Sequence, residues 1–99
     1  MSTSPVTRAV VIVNSNGLHA RPAERLAREA MQYKSRIEFV CRNERIDARS
    51  ILHLLTMGAT QGTELIIEAD GEDAQLAVDA LAELIAGGFV EEQKPAEGT

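Results

Sequence analysis

The sequence predicts an α+β domain of the open-faced β-sandwich kind, a four-stranded, mainly antiparallel sheet with three helices on one face. Two observations predict it. Short β-branched runs alternate with helix-period stretches in the order β-α-β-β-α-β-α. Nearly every junction carries turn or cap chemistry: Asn16-Gly17, Asn43-Glu44, Gly58, Asp70-Gly71 and Gly87-Gly88. Ninety-nine residues allow one core and no second, burying roughly two-thirds of the unfolded surface.

Residues 1–5 read as a flexible lead-in, 6–89 as the folded domain and 90–99, with Pro95 and Gly98 and no periodicity, as a disordered tail. Thr7 to Val13 is a β-branched run whose near-continuous apolar content predicts a central strand. Asn16-Gly17 is a turn, and Pro22 fits the first turn of a helix, where its missing N–H costs nothing. Ala23, Leu26, Ala27, Ala30 and Met31 then recur at helical spacing, giving a helix over 20–32.

Ser35 to Arg42 is the second strand, with Ile37, Phe39 and Cys41 on one face. A hairpin at Asn43-Glu44 leads into a short exposed strand, Arg45 to Ala48. Ser50 is a natural N-cap for a helix over Ile51–Met57 that stops at Gly58. Glu64 to Ala69 is the fourth strand. Asp70-Gly71-Glu72-Asp73 supplies a turn and acidic residues suited to a helix start. Ala74, Ala77, Val78, Leu81, Leu84 and Ile85 give the cleanest helix, closed by Gly87-Gly88, after which Phe89 folds back on the core.

Composition narrows the function. A net charge of −5, with Phe39, Phe89 and Tyr33 as the whole aromatic complement, argues against nucleic acid. Cys41 stands alone, which fits a reducing compartment, and the start has no signal-peptide pattern. No apolar run approaches membrane-spanning length, so the expected location is cytoplasmic. Two histidines and one cysteine match no metal-ligand spacing.

Two stretches carry candidate chemistry. His19 falls where a strand ends and a helix begins, with Arg21 two residues on. Helix N-termini present unpaired N–H groups and partial positive charge, which welcome anions. On spacing alone two readings of His19 stand side by side: a helix cap or loop residue, and an imidazole that carries a phosphoryl group. Gly17 allows close backbone approach, Arg21 offers a planar fork matched to phosphate, and Pro22 stiffens the helix start. Each also has a plain structural reading as a turn, a solvated side chain or a helix starter. The second stretch is Ile51–Met57, too apolar for two turns. Either it is sandwiched with all five apolar side chains buried, or part of it is an exposed patch that binds partners. The small domain size favours the patch. His53 reads as a surface residue of that helix.

The sequence resembles the histidine-containing phosphocarrier (HPr) family of the bacterial phosphoenolpyruvate-dependent phosphotransferase system, whose members include a nitrogen-related branch. The likeness rests on Asn16-Gly17-Leu18-His19-Ala20-Arg21-Pro22-Ala23 and Ala48-Arg49-Ser50. It extends through Leu55-Thr56-Met57-Gly58-Ala59-Thr60-Gln61-Gly62-Thr63 and Gly71-Glu72-Asp73. The resemblance implies that His19 is phosphorylated on Nδ1 by enzyme I and passes the group to an enzyme II A domain. It implies that Arg21 neutralises the phosphoryl charge, with Asn16, Gly17, Ala20 and Pro22 supporting it. It places Ser50 at a position that a dedicated kinase phosphorylates in some bacteria, and a phosphorylase could reverse this. Partner docking would fall on Ile51, Leu52, Leu55 and Thr56.

Such a protein is a stoichiometric carrier, needs no cofactor, and is a monomer by default. Two alternatives remain: a regulatory module acting through the second helix and Ser50, and a domain binding a phosphorylated metabolite. The Thr60–Thr63 block is similar to sugar-branch carriers and the Gly-Gly-Phe ending to the nitrogen branch, so the branch stays open.

Overall fold

A computed structural model describes residues 4–89. The expected disordered tail, 90–99, and most of the expected lead-in lie outside the described residues. The elements are β1 (Val6–Val11), α1 (Ala20–Ala30), β2 (Arg36–Cys41), β3 (Glu44–Asp47), α2 (Ile51–Met57), β4 (Glu64–Asp70) and α3 (Ala74–Ala86). This is the expected order, with strand and helix ends shifted by one or two residues. The strands form one antiparallel sheet in the order β1-β4-β2-β3. α3 packs over β1 and β4, α2 over β3, and α1 lies against both helices.

Alternation builds the core. Val10 and Ile12, Ile37, Phe39 and Cys41, Ile46, and Leu65, Ile67 and Ala69 all turn to the helical side and are buried. Phe39 faces Ile46 on one flank and Ile67 on the other, so a row of large apolar side chains crosses the sheet. From the helices come Leu26, Ala27, Leu54, Val78, Leu81 and Ile85, each fully buried. α3 ends in a Schellman motif: the Phe89 N–H bonds to the Leu84 carbonyl at 3.1 Å and the Gly88 N–H to that of Ile85 at 3.0 Å. The positive φ of Gly88, +66°, makes that turn possible and returns Phe89 to the core, as expected.

Two local readings are corrected, and the helix-start reading at Asp73 gains a detail. The first strand is an edge, paired to β4 alone among the described residues. With helices on one face only, Val11 and Val13 point to the open side of the sheet and are 44% and 46% exposed. Their apolar character therefore marked no second covered face. The hairpin turn is Arg42-Asn43, one residue earlier than expected, because Cys41 pairs directly with Glu44. Both turn residues have positive φ, 53° and 70°, the type I′ geometry that matches strand twist. Asp73 does occupy the N-cap of α3, but its carboxylate makes no capping bond. It accepts instead from the backbone N–H groups of Lys34 and Ser35, at 2.8 and 2.9 Å, and from the Ser35 hydroxyl at 2.6 Å. The Arg49 guanidinium holds the same loop by donating to the Tyr33 and Ser35 carbonyls. The α1–β2 loop is thus tied to the starts of both later helices.

Candidate functional site

The chain leaves β1 beside the loop that precedes β4. The Ile12 N–H donates to the Thr63 carbonyl at 3.0 Å, and the Gly62 N–H to that of Ile12 at 2.7 Å. The Gln61 side-chain amide donates to the Val13 carbonyl at 3.0 Å. A turn over residues 14–17 follows, closed by the Gly17 N–H on the Asn14 carbonyl at 3.0 Å. The Leu18 N–H then bonds to the Ala59 carbonyl at 2.8 Å, and the Leu18 side chain is buried.

Gly17 sits at φ +66°, pressed against Ala59 and Thr60. A Cβ there would lie 2.6 Å from the Ala59 carbonyl oxygen and 2.9 Å from the Thr60 Cα. The requirement for glycine is therefore both conformational and steric.

His19 is the N-cap of α1, in extended backbone at φ −100° and ψ −165°. Its carbonyl receives the first helical hydrogen bond, from the Ala23 N–H at 2.9 Å. The amides of Ala20 and Arg21 precede that bond, and Pro22 has none to offer. Those two N–H groups are the donors at the positive end of the helix. The imidazole makes no capping hydrogen bond, and His19, Ala20 and Arg21 are all exposed. His19 is thus exposed at the N-terminal end of α1, with the exposed Arg21 two residues on. Such a site can hold a dianionic group without burying it. Pro22 is buried, so it supports the helix start by packing, and Asn16 is exposed on the turn.

α2 has the mixed character its sequence implies. Leu54 and Met57 are buried, whereas Ile51, Leu52 and Leu55 are 40%, 73% and 37% exposed. Thr56 is exposed on the same helix, its hydroxyl donating to the His53 carbonyl at 2.8 Å. Ser50 caps the helix by accepting the His53 N–H at 3.1 Å. His53 is exposed, and its Nδ1 accepts the Asp47 N–H at 3.2 Å. The chain leaving α2 at Gly58 runs directly into Ala59 and Thr60, against which Gly17 is packed. The His19 loop therefore rests on the segment leaving the apolar helix, through the Leu18–Ala59 hydrogen bond and the packing of Gly17.

Asn14 goes unread in the sequence, and Ala59, Gln61 and Thr63 are read there only as part of the resemblance; together they hold the His19 loop in place. An asparagine three residues before a glycine is a recognisable turn signal. The cross-loop contacts left no local trace. Among the described residues no cluster of His, Cys, Asp or Glu could hold a metal, and no helix is long and apolar enough to cross a membrane.

A family model described as "PTS HPr component phosphorylation site" matches residues 6–87. The phosphocarrier protein HPr of Haemophilus influenzae is 44% identical over 79 residues, which cover 80% of this chain and 93% of that protein. A multiphosphoryl transfer protein of the same organism is 37% identical over a stretch covering 92% of this chain and 20% of its own length. The crystal structure of HPr-C-His from Thermoanaerobacter tengcongensis superposes with a TM-score of 0.82 at 33% identity, covering 85% of this chain and 94% of that one.

Proposed function

This chain belongs to the HPr family of phosphotransferase-system carrier proteins, and from that premise we propose that His19 is its phosphoryl carrier. The neutral imidazole attacks phosphorus through the Nδ1 lone pair. The bond from phosphorus to the donor, phospho-enzyme I, breaks, and the donor keeps the electron pair. In the second transfer an enzyme II A domain is the nucleophile and His19 the leaving group. Imidazole suits both halves, because it is nucleophilic near neutral pH and its N–P bond stays labile.

The observation that carries this reading is the exposed, non-capping ring at the N-terminus of α1. A histidine serving as a helix cap would direct a ring nitrogen to a first-turn N–H. Here those amides can serve phosphoryl oxygens, an effect of about 0.3–1 kcal/mol at an exposed helix end. Arg21 adds positive charge two residues away, and charge-assisted hydrogen bonds contribute about 1.5–3 kcal/mol where they form. Neither is large enough to trap the group. Catalysis is then mostly positioning, completed by the partner, and the protein is a stoichiometric carrier.

The exposed Ile51, Leu52 and Leu55, with Thr56, form the docking surface for these partners. Ser50 stands at its edge. A phosphate on Ser50 suits the helix N-terminus but sets charge beside apolar contacts, so it would leave the fold intact and weaken docking. The test is incubation with enzyme I and labelled phosphoenolpyruvate. Acid-labile label on the wild type and none on His19→Ala is the expected result. Absence of label with a competent enzyme I would overturn the reading and favour the regulatory module or the metabolite-binding domain. Running the exchange with enzyme I from the sugar and nitrogen branches assigns the branch.

A further inference from the structure

Asn14 holds the His19 loop, yet nothing in the transfer chemistry above uses it. The residue is 7% exposed. Its backbone carbonyl accepts the Gly17 N–H at 3.0 Å, and its side-chain Nδ2 donates to the Gly17 carbonyl at 2.5 Å. That contact fixes the carboxamide's orientation, since the opposite flip would set two acceptor oxygens against each other. The same Gly17 carbonyl accepts the His19 N–H at 3.2 Å. One carbonyl thus receives Asn14 and His19 together, and Asn14 governs the direction in which the chain reaches His19.

The other end of the carboxamide makes no bond to the protein. Oδ1 is buried and has no hydrogen-bond partner in the structure. A buried acceptor left in that state is destabilising, and an apolar side chain of similar size would remove it. We propose that Asn14 is a positioning residue for phosphoryl transfer. It orients the Gly17–His19 peptide so that the imidazole meets the incoming group beside the first-turn amides of α1. This rests on the carrier reading of His19.

The experiment measures phosphoryl uptake from phospho-enzyme I by the full chain, comparing the wild type with Asn14→Leu and Asn14→Ala. Asn14→Leu is expected to melt at or above the wild-type temperature while its maximal uptake rate falls about tenfold or more, as displaced reacting groups do. The half-saturating carrier concentration stays unchanged, because α2 is untouched. Hydrogen exchange at the His19 amide becomes faster. A folded variant that takes label at the wild-type rate would overturn the proposal, and so would a loss confined to the half-saturating concentration. Unfolding of both variants would also overturn it, making Asn14 purely structural. A wild type that takes no label sinks the carrier reading itself, a result separable from the others.

Discussion

Gly17 and Gly58 form a matched pair for testing how the His19 loop is held. Their φ angles are +66° and +65°, so replacing either by alanine carries the same backbone penalty, about 1 kcal/mol. Their surroundings differ. A Cβ at Gly58 meets nothing nearer than the Thr56 carbonyl oxygen at 3.9 Å. At Gly17 it would stand 2.6 Å from the Ala59 carbonyl oxygen and 2.9 Å from the Thr60 Cα, both backbone atoms that no rotamer change can move. Relief requires the two loops to separate. That stretches the 2.8 Å hydrogen bond from Leu18 to Ala59, worth about 1 kcal/mol, and adds at least about 1 kcal/mol of overpacking. Gly17→Ala should therefore lose about 3 kcal/mol and Gly58→Ala about 1 kcal/mol. At about 4–8 °C per kcal/mol for a chain of this size, the melting temperatures fall by roughly 12–24 °C and 4–8 °C. Thermal denaturation followed by circular dichroism measures both. Equal losses would refute the claim that the His19 loop is braced against the segment leaving α2. So would a Gly17→Ala protein that melts like the wild type.

Other outcomes follow from the same geometry. Leu52→Asp, at a position 73% exposed, should leave stability within about 0.5 kcal/mol of wild type while raising the half-saturating concentration in transfer from enzyme I. Leu54→Ala, fully buried two residues on, should cost about 2–5 kcal/mol in chemical denaturation. The Asp73 carboxyl is held below its ordinary range, first by the Ser35 hydroxyl and then by the Lys34 N–H. Its ionised form is therefore favoured by folding. The stability it contributes is present above the ordinary carboxylate range and is lost as pH falls through the depressed value. Urea midpoints should drop less steeply with acid for Asp73→Asn than for the wild type. Arg42 occupies the left-handed region in the type I′ turn, so Arg42→Asn should raise the urea midpoint by an amount equivalent to about 0.5–1 kcal/mol.

How much of this was readable in advance depended on the range of the interaction. Element types and order were legible because the periods of Ile37–Phe39–Cys41 and of Ala74–Ile85 are local. Ser50 as a cap and Gly88 as a helix stop are likewise determined within a few residues. The position of His19 at a helix start was legible for the same reason: turn glycine and helix start fall within one short stretch. Asn14 was overlooked in favour of Asn16, although both stand in the same turn. Only the folded backbone reveals which of the two side chains turns inward.

The sequence by itself determined the pieces: four strands, three helices, a histidine at a helix start, and a second helix with more apolar residues than one core could take. Tertiary structure alone decided that the first strand is an edge, that Asp73 serves a distant loop in place of its own helix, and that the Gly17 loop rests on the segment leaving α2. The physical reason is separation along the chain. Periodicity and capping are written between neighbours, whereas strand order and loop contact join residues some forty positions apart, as between Gly17 and Ala59, and leave no mark in either stretch.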